Sequence, residues 1–291
     1  MAITTQKQAP WGLARISHRD TLTSSTFGQY VYDDAAGDGV DVYVLSTGIN
    51  INHVDFDYRA RWGFTIHEED EDDDGNGLGT HLAGIVAGKK FGVAKKALVH
   101  AVQVARSDGS AEPKDLIRGL EFVARSAQEV GRPAVALLAP QVTVKNAELD
   151  AAVAAAVAQG VFVVVAAGDD NDDAVNRSPA GAPSAFTVGA SSIADELAYP
   201  SNYGGPVDLF APGLNVESAW IGSSTMENTM SGTAQAAAHV AGLAAYLIST
   251  SKDITAANVG AAITALATKD ALSDIPTGSS NLLAYNNAFG S

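Results

Sequence analysis

Six histidines stand in the chain: His18, His53, His67, His81, His100 and His239. They are the first candidates for proton transfer, because an imidazole titrates close to neutral pH. A hydrolytic centre needs one of them beside a nucleophile, with an acid to orient it. No spacing of Ser, His and Asp along the chain suggests such a set. An isolated histidine reads first as a hydrogen-bonded structural group. Cysteine is absent, which removes disulfides, thiolate metal sites and a cysteine nucleophile. One segment stands out by charge: every residue from Glu68 to Asp74 is acidic. As a block of like charge it reads as a solvated surface loop. Its carboxylates would also suit a weak calcium site, since hard cations take oxygen ligands.

The formal net charge of -15 argues against nucleic acid and anionic membrane surfaces as partners, because both would be repelled. A hydrophobic content of 46% and a charged content of 18% describe a globular chain. Its 291 residues suffice for one large domain with a substantial core. Met1 to Pro10 is polar, with no apolar stretch of the kind a signal peptide needs. The longest apolar run, Ala151 to Gly168, is broken by Gln159 and Gly160. It reads as a helix followed by a strand, not as a membrane span.

Any site must be positioned by the elements around it. Asp41 to Leu45, Val99 to Val104, Val135 to Leu138 and Val161 to Ala167 are short β-branched runs that read as buried strands. Between them, Lys114 to Glu129 and Ala147 to Ala158 have helical composition. Asp115, Leu116, Leu120 and Val123 place a stripe on the first helix, with Gly131 as its stop. Gly232 to Ile248 and Thr255 to Ala267 read as two later helices. This alternation predicts an α/β fold, doubly wound, with a mostly parallel sheet and helices on both faces. Ligand sites in such folds lie at the carboxyl ends of the strands.

Four segments carry a family pattern. They are Asp41-Val-Tyr-Val-Leu-Ser-Thr-Gly48, Asp74-Gly-Asn-Gly-Leu-Gly-Thr-His-Leu-Ala-Gly84, Val163-Val-Val-Ala-Ala-Gly-Asp169 and Ser231-Gly-Thr-Ala-Gln-Ala-Ala-Ala-His-Val-Ala-Gly242. In that order they resemble the blocks of subtilisin-like serine proteases that deliver the catalytic Asp, the catalytic His, the oxyanion-hole Asn and the nucleophilic Ser. Ala9 to His18, Phe91 to Lys96, Ser201 to Gly204 and Phe210 to Gly213 are similar to the proteinase K-like fungal branch of peptidase S8. The resemblance implies a single subtilisin-like domain over residues 1–291, usually monomeric and secreted. The signal peptide and inhibitory prodomain normal in the family are not visible in this sequence. Ser178-Pro179 resembles a family turn that can hold a cis peptide near the cleft.

The same alignment of motifs shows every catalytic position replaced. The Asp position is Ser46, the His position Leu78 and the Ser position Ala234. None of them can supply the orienting acid, the base or the nucleophile that the mechanism needs. The oxyanion-hole position is Asp169, whose carboxylate would repel a developing oxyanion. The family's substrate-pairing strand is replaced by Pro140-Gln-Val-Thr143. Proline lacks a backbone donor, and side chains replace glycines that let a substrate backbone approach. His81 and His239 match positions where the family keeps a non-catalytic histidine.

The expected cleft is therefore formed by Ser46, Leu78, Pro140, Gln141, Asp169, Ala234 and Gln235. Two roles are open for it. One is a pseudoprotease that binds a protein partner. The other is a repurposed biosynthetic enzyme that isomerises or cyclises an apolar small molecule, with Asp169 as candidate acid in an apolar pocket. The resemblance also implies a structural calcium, held by the carbonyls of Pro183 and Ala185 and by Asp208, and no organic cofactor.

Overall fold

A computed structural model describes residues 2–66, 72–140 and 144–288. The chain opens with β1 (Ile3–Lys7), α1 (Trp11–Ile16) and β2 (Gln29–Asp33), the two strands pairing antiparallel. Then come β3 (Asp41–Ser46), β4 (Ala60–Thr65), α2 (Leu78–Ala87), β5 (Leu98–Gln103), α3 (Pro113–Val130), β6 (Ala134–Leu138), α4 (Ala147–Ala158) and β7 (Val161–Ala166). The remainder comprises β8 (Phe186–Ser191), β9 (Val207–Pro212), β10 (Val216–Ala219), β11 (Glu227–Met230), α5 (Thr233–Thr250), α6 (Val259–Leu266), β12 (Thr268–Lys269) and β13 (Leu282–Leu283).

Nine strands form one sheet in the order β12-β13-β9-β8-β7-β6-β3-β5-β4. Every pairing from β13 to β4 is parallel, and only β12 runs against its neighbour. Alternate residues of each strand feed opposite layers, as a two-residue side-chain period requires. Val42 and Val44 pack with α2 and α5, whereas Tyr43 and Leu45 pack with Leu116 and Leu120 of α3 and Leu149 and Val153 of α4. Both faces are covered, which is why these strands read as continuous apolar runs. The strand order reverses at β3, between β5 and β6, so a crevice opens at the carboxyl ends of β3, β6 and β7.

The fold expected from the sequence is the one observed. The four strands fall within a residue or so of their expected limits, and α4 spans Ala147–Ala158 as read. The stretch after Ala151 is indeed a helix followed by a strand, and no helix among the described residues is long and apolar enough to cross a membrane. The stripe on α3 is buried, and Gly131 closes that helix with φ 68°. Helix α6 starts later than expected. Asn258 accepts the Thr255 backbone N–H at 2.7 Å and donates to the Asp253 carbonyl at 2.9 Å. These side-chain bonds tie up the turn that would otherwise have been the first turn of the helix.

Candidate functional site

The crevice is assembled by two helix N-termini meeting two strand ends. Helix α2 abuts the end of β3 because Gly79 and Gly48 leave room. A Cβ on Gly79 would collide with the Gly48 carbonyl oxygen, and Gly48 itself has φ 115°. The helix start is held by Asp74, which is only 2% exposed. One carboxylate oxygen accepts from Thr47 Oγ1 (2.8 Å), Asn76 N (3.1 Å) and Gly77 N (2.8 Å). The other accepts from Thr80 N (2.9 Å) and Thr80 Oγ1 (2.6 Å). Of the first-turn donors of α2, Thr80 N goes to Asp74, while Leu78 N goes to Asn76 Oδ1 and Gly79 N to Thr47 Oγ1, so an anion sits at the positive end of the helix among polar acceptors. This corrects the expectation for the acidic run. Residues 68–71 lie outside the described residues and Asp72 and Asp73 are exposed, but Asp74 is a buried structural anchor, not a solvated charge. No group of three or more acidic or histidine side chains among the described residues is arranged to hold a metal ion.

The second helix start belongs to α5. Gly232 precedes it with φ 152°, and Asp169, just beyond β7, reaches across to it. Its Oδ1 accepts the Thr233 backbone N–H at 2.9 Å and its Oδ2 the Thr233 hydroxyl at 3.3 Å. The loop that carries Asp169 is fixed from beneath by Asn202, which is fully buried. Asn202 Oδ1 accepts Asp170 N (3.0 Å) and Asp172 N (2.9 Å), and Nδ2 donates to the Ala167 carbonyl (2.9 Å). Desolvation raises the Asp169 pKa above the usual carboxylate range, against the lowering effect of the two Thr233 bonds. The side chain still presents much of its surface to solvent, so it is crowded on one side and open on the other.

Leu78, Asp169, Ala234 and Gln235 line one cleft of about 360 Å³, together with Ala139, Met230 and Ser231. A smaller apolar pocket of about 130 Å³ adjoins it, sharing Asp169 and Ser231 and walled by Ala198, Tyr199 and Leu214. Ser46 is fully buried at the end of β3 and does not line the cleft, and its hydroxyl has no hydrogen-bond partner among the described residues. Pro140 is half-buried just after β6, and Gln141 lies outside the described residues. Among the described residues lining the cleft there is no histidine, lysine or arginine. Gln235 is 1% exposed and its Nε2 has no partner. A wider groove of about 580 Å³ lies at the opposite end of α5, around Tyr246 and Leu266, far from the strand ends.

The described histidines serve the framework. His81 Nε2 lies 3.1 Å from the Val216 carbonyl, and His239 Nδ1 lies 2.9 Å from that of Gln235. Burial lowers both imidazoles to about 4, so they are neutral near pH 7. His53 bonds to the Met226 carbonyl and His100 to Asp41, at the far end of β3. His67 lies outside the described residues. The Ser178-Pro179 bond is cis, as the turn resemblance implied.

Asp208 sits half-buried on β9, while Ala185 immediately precedes β8 and Pro183 is exposed. Its Oδ2 accepts the Thr187 backbone N–H at 2.7 Å, and desolvation raises its pKa to about 6. Because β8 and β9 are paired, Asp208 and the 183–185 segment lie on neighbouring strands or their approaches, and carboxylate and carbonyl oxygens are the donor types a hard cation takes.

Sequence reasoning did not find Asp74, Asn202 or the Asp169–Thr233 contact. The signal for Asp74 was present: an Asp-Gly-Asn-Gly turn directly before a helix, which is capping chemistry. Asn202 acts over more than thirty residues of chain, so its role has no local signature.

A family model described as the subtilase family matches residues 37–290. A subtilisin-like protease of Coccidioides posadasii is 51% identical over 301 residues, covering 97% of this chain and 61% of that protein. The subtilisin-like serine protease Pen ch 18 of Penicillium rubens is 49% identical over 296 residues, with 97% and 60% covered. The chain thus spans about three-fifths of the length of the curated relatives it matches. Among solved structures, a cold adapted subtilisin-like serine proteinase superposes with a TM-score of 0.89 at 36% identity, covering 96% of this chain and 99% of that one.

Proposed function

The chain belongs to the subtilase family, and from that premise we propose that it is a catalytically inactive member, a pseudoprotease that acts by binding or regulation and not by peptide hydrolysis. One observation carries this reading. The cleft at the strand ends is lined by Leu78, Ala234 and Asp169, with Ser46 buried at the end of β3. A subtilase needs a base, a nucleophile and an oxyanion donor there. Removing the whole triad of a subtilisin lowers turnover by roughly 10⁶. Losing an oxyanion donor costs about another 10²–10³. The relatives are named as proteases, and the reading rests on the residues at which this chain departs from the family's catalytic pattern.

A second reading is favoured by Asp169. Its raised pKa, beside the apolar walls of Leu78, Ala139 and Ala234, suits a group that donates a proton or a hydrogen bond. On this reading the cleft isomerises or cyclises an apolar small molecule, a step that needs positioning and one acid but no covalent nucleophile. A structural calcium at Pro183, Ala185 and Asp208 is compatible with either role, and is supported by the desolvated carboxyl of Asp208.

Thermal shift against two panels, short peptides and apolar small molecules, separates the readings, because a ligand of the native state raises its melting temperature. Stabilisation by small molecules that disappears on Asp169→Ala supports the repurposed enzyme. No response to either panel, with a protein partner recovered by pull-down and confirmed by direct binding, supports the non-catalytic shell. Turnover of a peptide from the first panel would contradict both.

A further inference from the structure

The cleft has not merely lost a catalytic set. Its polarity is reversed. In a subtilase this corner offers hydrogen-bond donors to a developing negative charge; here it offers a carboxylate. Two of the four lone-pair directions of Asp169 are taken by Thr233, at 2.9 and 3.3 Å. The residue is otherwise exposed. Asp170 lines the same cleft, is 48% exposed, and its nearest cation is Arg177 at 3.6 Å. Among the described residues, two carboxylates and no cationic side chain therefore line about 360 Å³ of otherwise largely apolar space.

Gln235 supplies an independent observation. It is buried in the floor of the cleft, and its Nε2 has no partner. Capping of α5 by Asp169 does not account for that donor. Its Oε1 and Asp169 Oδ2 converge from different elements beside Gly232, at 3.0 and 3.2 Å from the point a Cβ on that glycine would occupy. The two side chains thus face one small volume with oxygen acceptors, a carboxylate from one and an amide carbonyl from the other.

We propose that this cleft binds an organic ammonium ion on an apolar body, with the ammonium donating to Asp169 Oδ2 and to Gln235 Oε1. The inference rests on the reading that the cleft no longer hydrolyses peptides, and it takes Asp169 as a carboxylate, not as the acid of the second reading. Leu78, Ala139 and Met230 cover the apolar part of the ligand. The ammonium is selected over an anion by charge and over a neutral isostere by a charge-assisted hydrogen bond.

The test is calorimetric titration with three probes of one shape: phenylalanine amide, which carries both groups; 3-phenylpropanamide, which lacks the amine; and 3-phenylpropanoate, an anion. Phenylalanine amide should bind at least about tenfold more tightly than 3-phenylpropanamide, and the anion should not bind. Asp169→Asn should abolish that preference while retaining binding of the neutral amide. Gln235→Met should reduce that preference without abolishing it. Equal or tighter binding of the neutral or anionic probe overturns the proposal. So does a preference that survives Asp169→Asn, or no binding of phenylalanine amide at millimolar concentration by protein that unfolds cooperatively. Hydrolysis of the amides, followed in the same samples, would overturn the underlying reading and not the charge preference.

Discussion

Asp169 Oδ1 lies 2.9 Å from the backbone nitrogen of Thr233, and this bond joins the end of β7 to the start of α5. The residue at the expected oxyanion position is therefore also a helix cap. Its pKa is raised by desolvation and lowered by Thr233, with a net upward shift. A carboxyl whose folded pKa lies above its unfolded one contributes stability that is complete below the unfolded value and lost as pH rises through the folded value. Asparagine keeps an acceptor for Thr233 without the charge. Asp169→Asn is thus expected to stabilise the protein at pH 7, by under about 1 kcal/mol once solvent screening of this exposed group is included. The gain should vanish near pH 4. Urea unfolding at the two pH values checks it; a loss of stability at pH 7 would mean that the charged cap outweighs desolvation.

Asp74 carries a larger effect. Its five hydrogen bonds come from Thr47, Asn76, Gly77 and Thr80, and it is almost wholly buried. Asp74→Ala strands those donors, and a loss of about 3 kcal/mol or more is expected. Its neighbour Asp73 is exposed, and Asp73→Asn should stay within about 0.5 kcal/mol of wild type. Chemical denaturation of the two variants side by side gives the comparison.

The buried imidazoles make a pH prediction of opposite sign to that of Asp169. His81 and His239 are each lowered to about 4 from 6.5, chiefly by burial. Protonation favours the unfolded chain, so their contribution is complete above about pH 6.5 and is lost as pH falls towards 4. The magnitude is on the order of 2 kcal/mol for each imidazole. His81→Gln removes one of them, and the stability difference between wild type and this variant should shrink over that interval. A difference that stays constant from pH 7 to pH 4 would show that His81 is not buried as a neutral group.

The calcium proposal has its own readout. Calcium should raise the melting temperature of chelator-treated protein by several degrees, since a cation that binds only the folded state stabilises it by mass action. Asp208→Asn should remove the response. An unchanged calcium effect in that variant would move the site elsewhere.

The parts of the molecule that could be read from the sequence are those governed by short-range pattern. The strands β3, β5, β6 and β7 are apolar on both faces because both faces are covered, and that leaves a continuous run to be read. The α3 stripe was legible by its helical period and its glycine stop. The Leu78, Ala234, Asp169 and Gln235 side of the cleft followed from motif order, and the chain brings those residues to one place. What escaped was non-local. Asp74 was lost in a run of like charges, although its burial depends on Thr47 arriving from another strand. The loop-building role of Asn202 depends on a backbone thirty or more residues away. The late start of α6 reflects Asn258 competing for the backbone, a signal less visible in the sequence than the helical composition around it.

The central claim is the absence of serine-protease chemistry, and the most direct measurement is treatment of the purified chain with a fluorophosphonate that phosphonylates activated serines. Intact mass and peptide cleavage are read from the same sample. The account predicts no adduct and no cleavage above a buffer control. A single stoichiometric adduct on one serine, with peptide cleavage that the reagent abolishes, would contradict it.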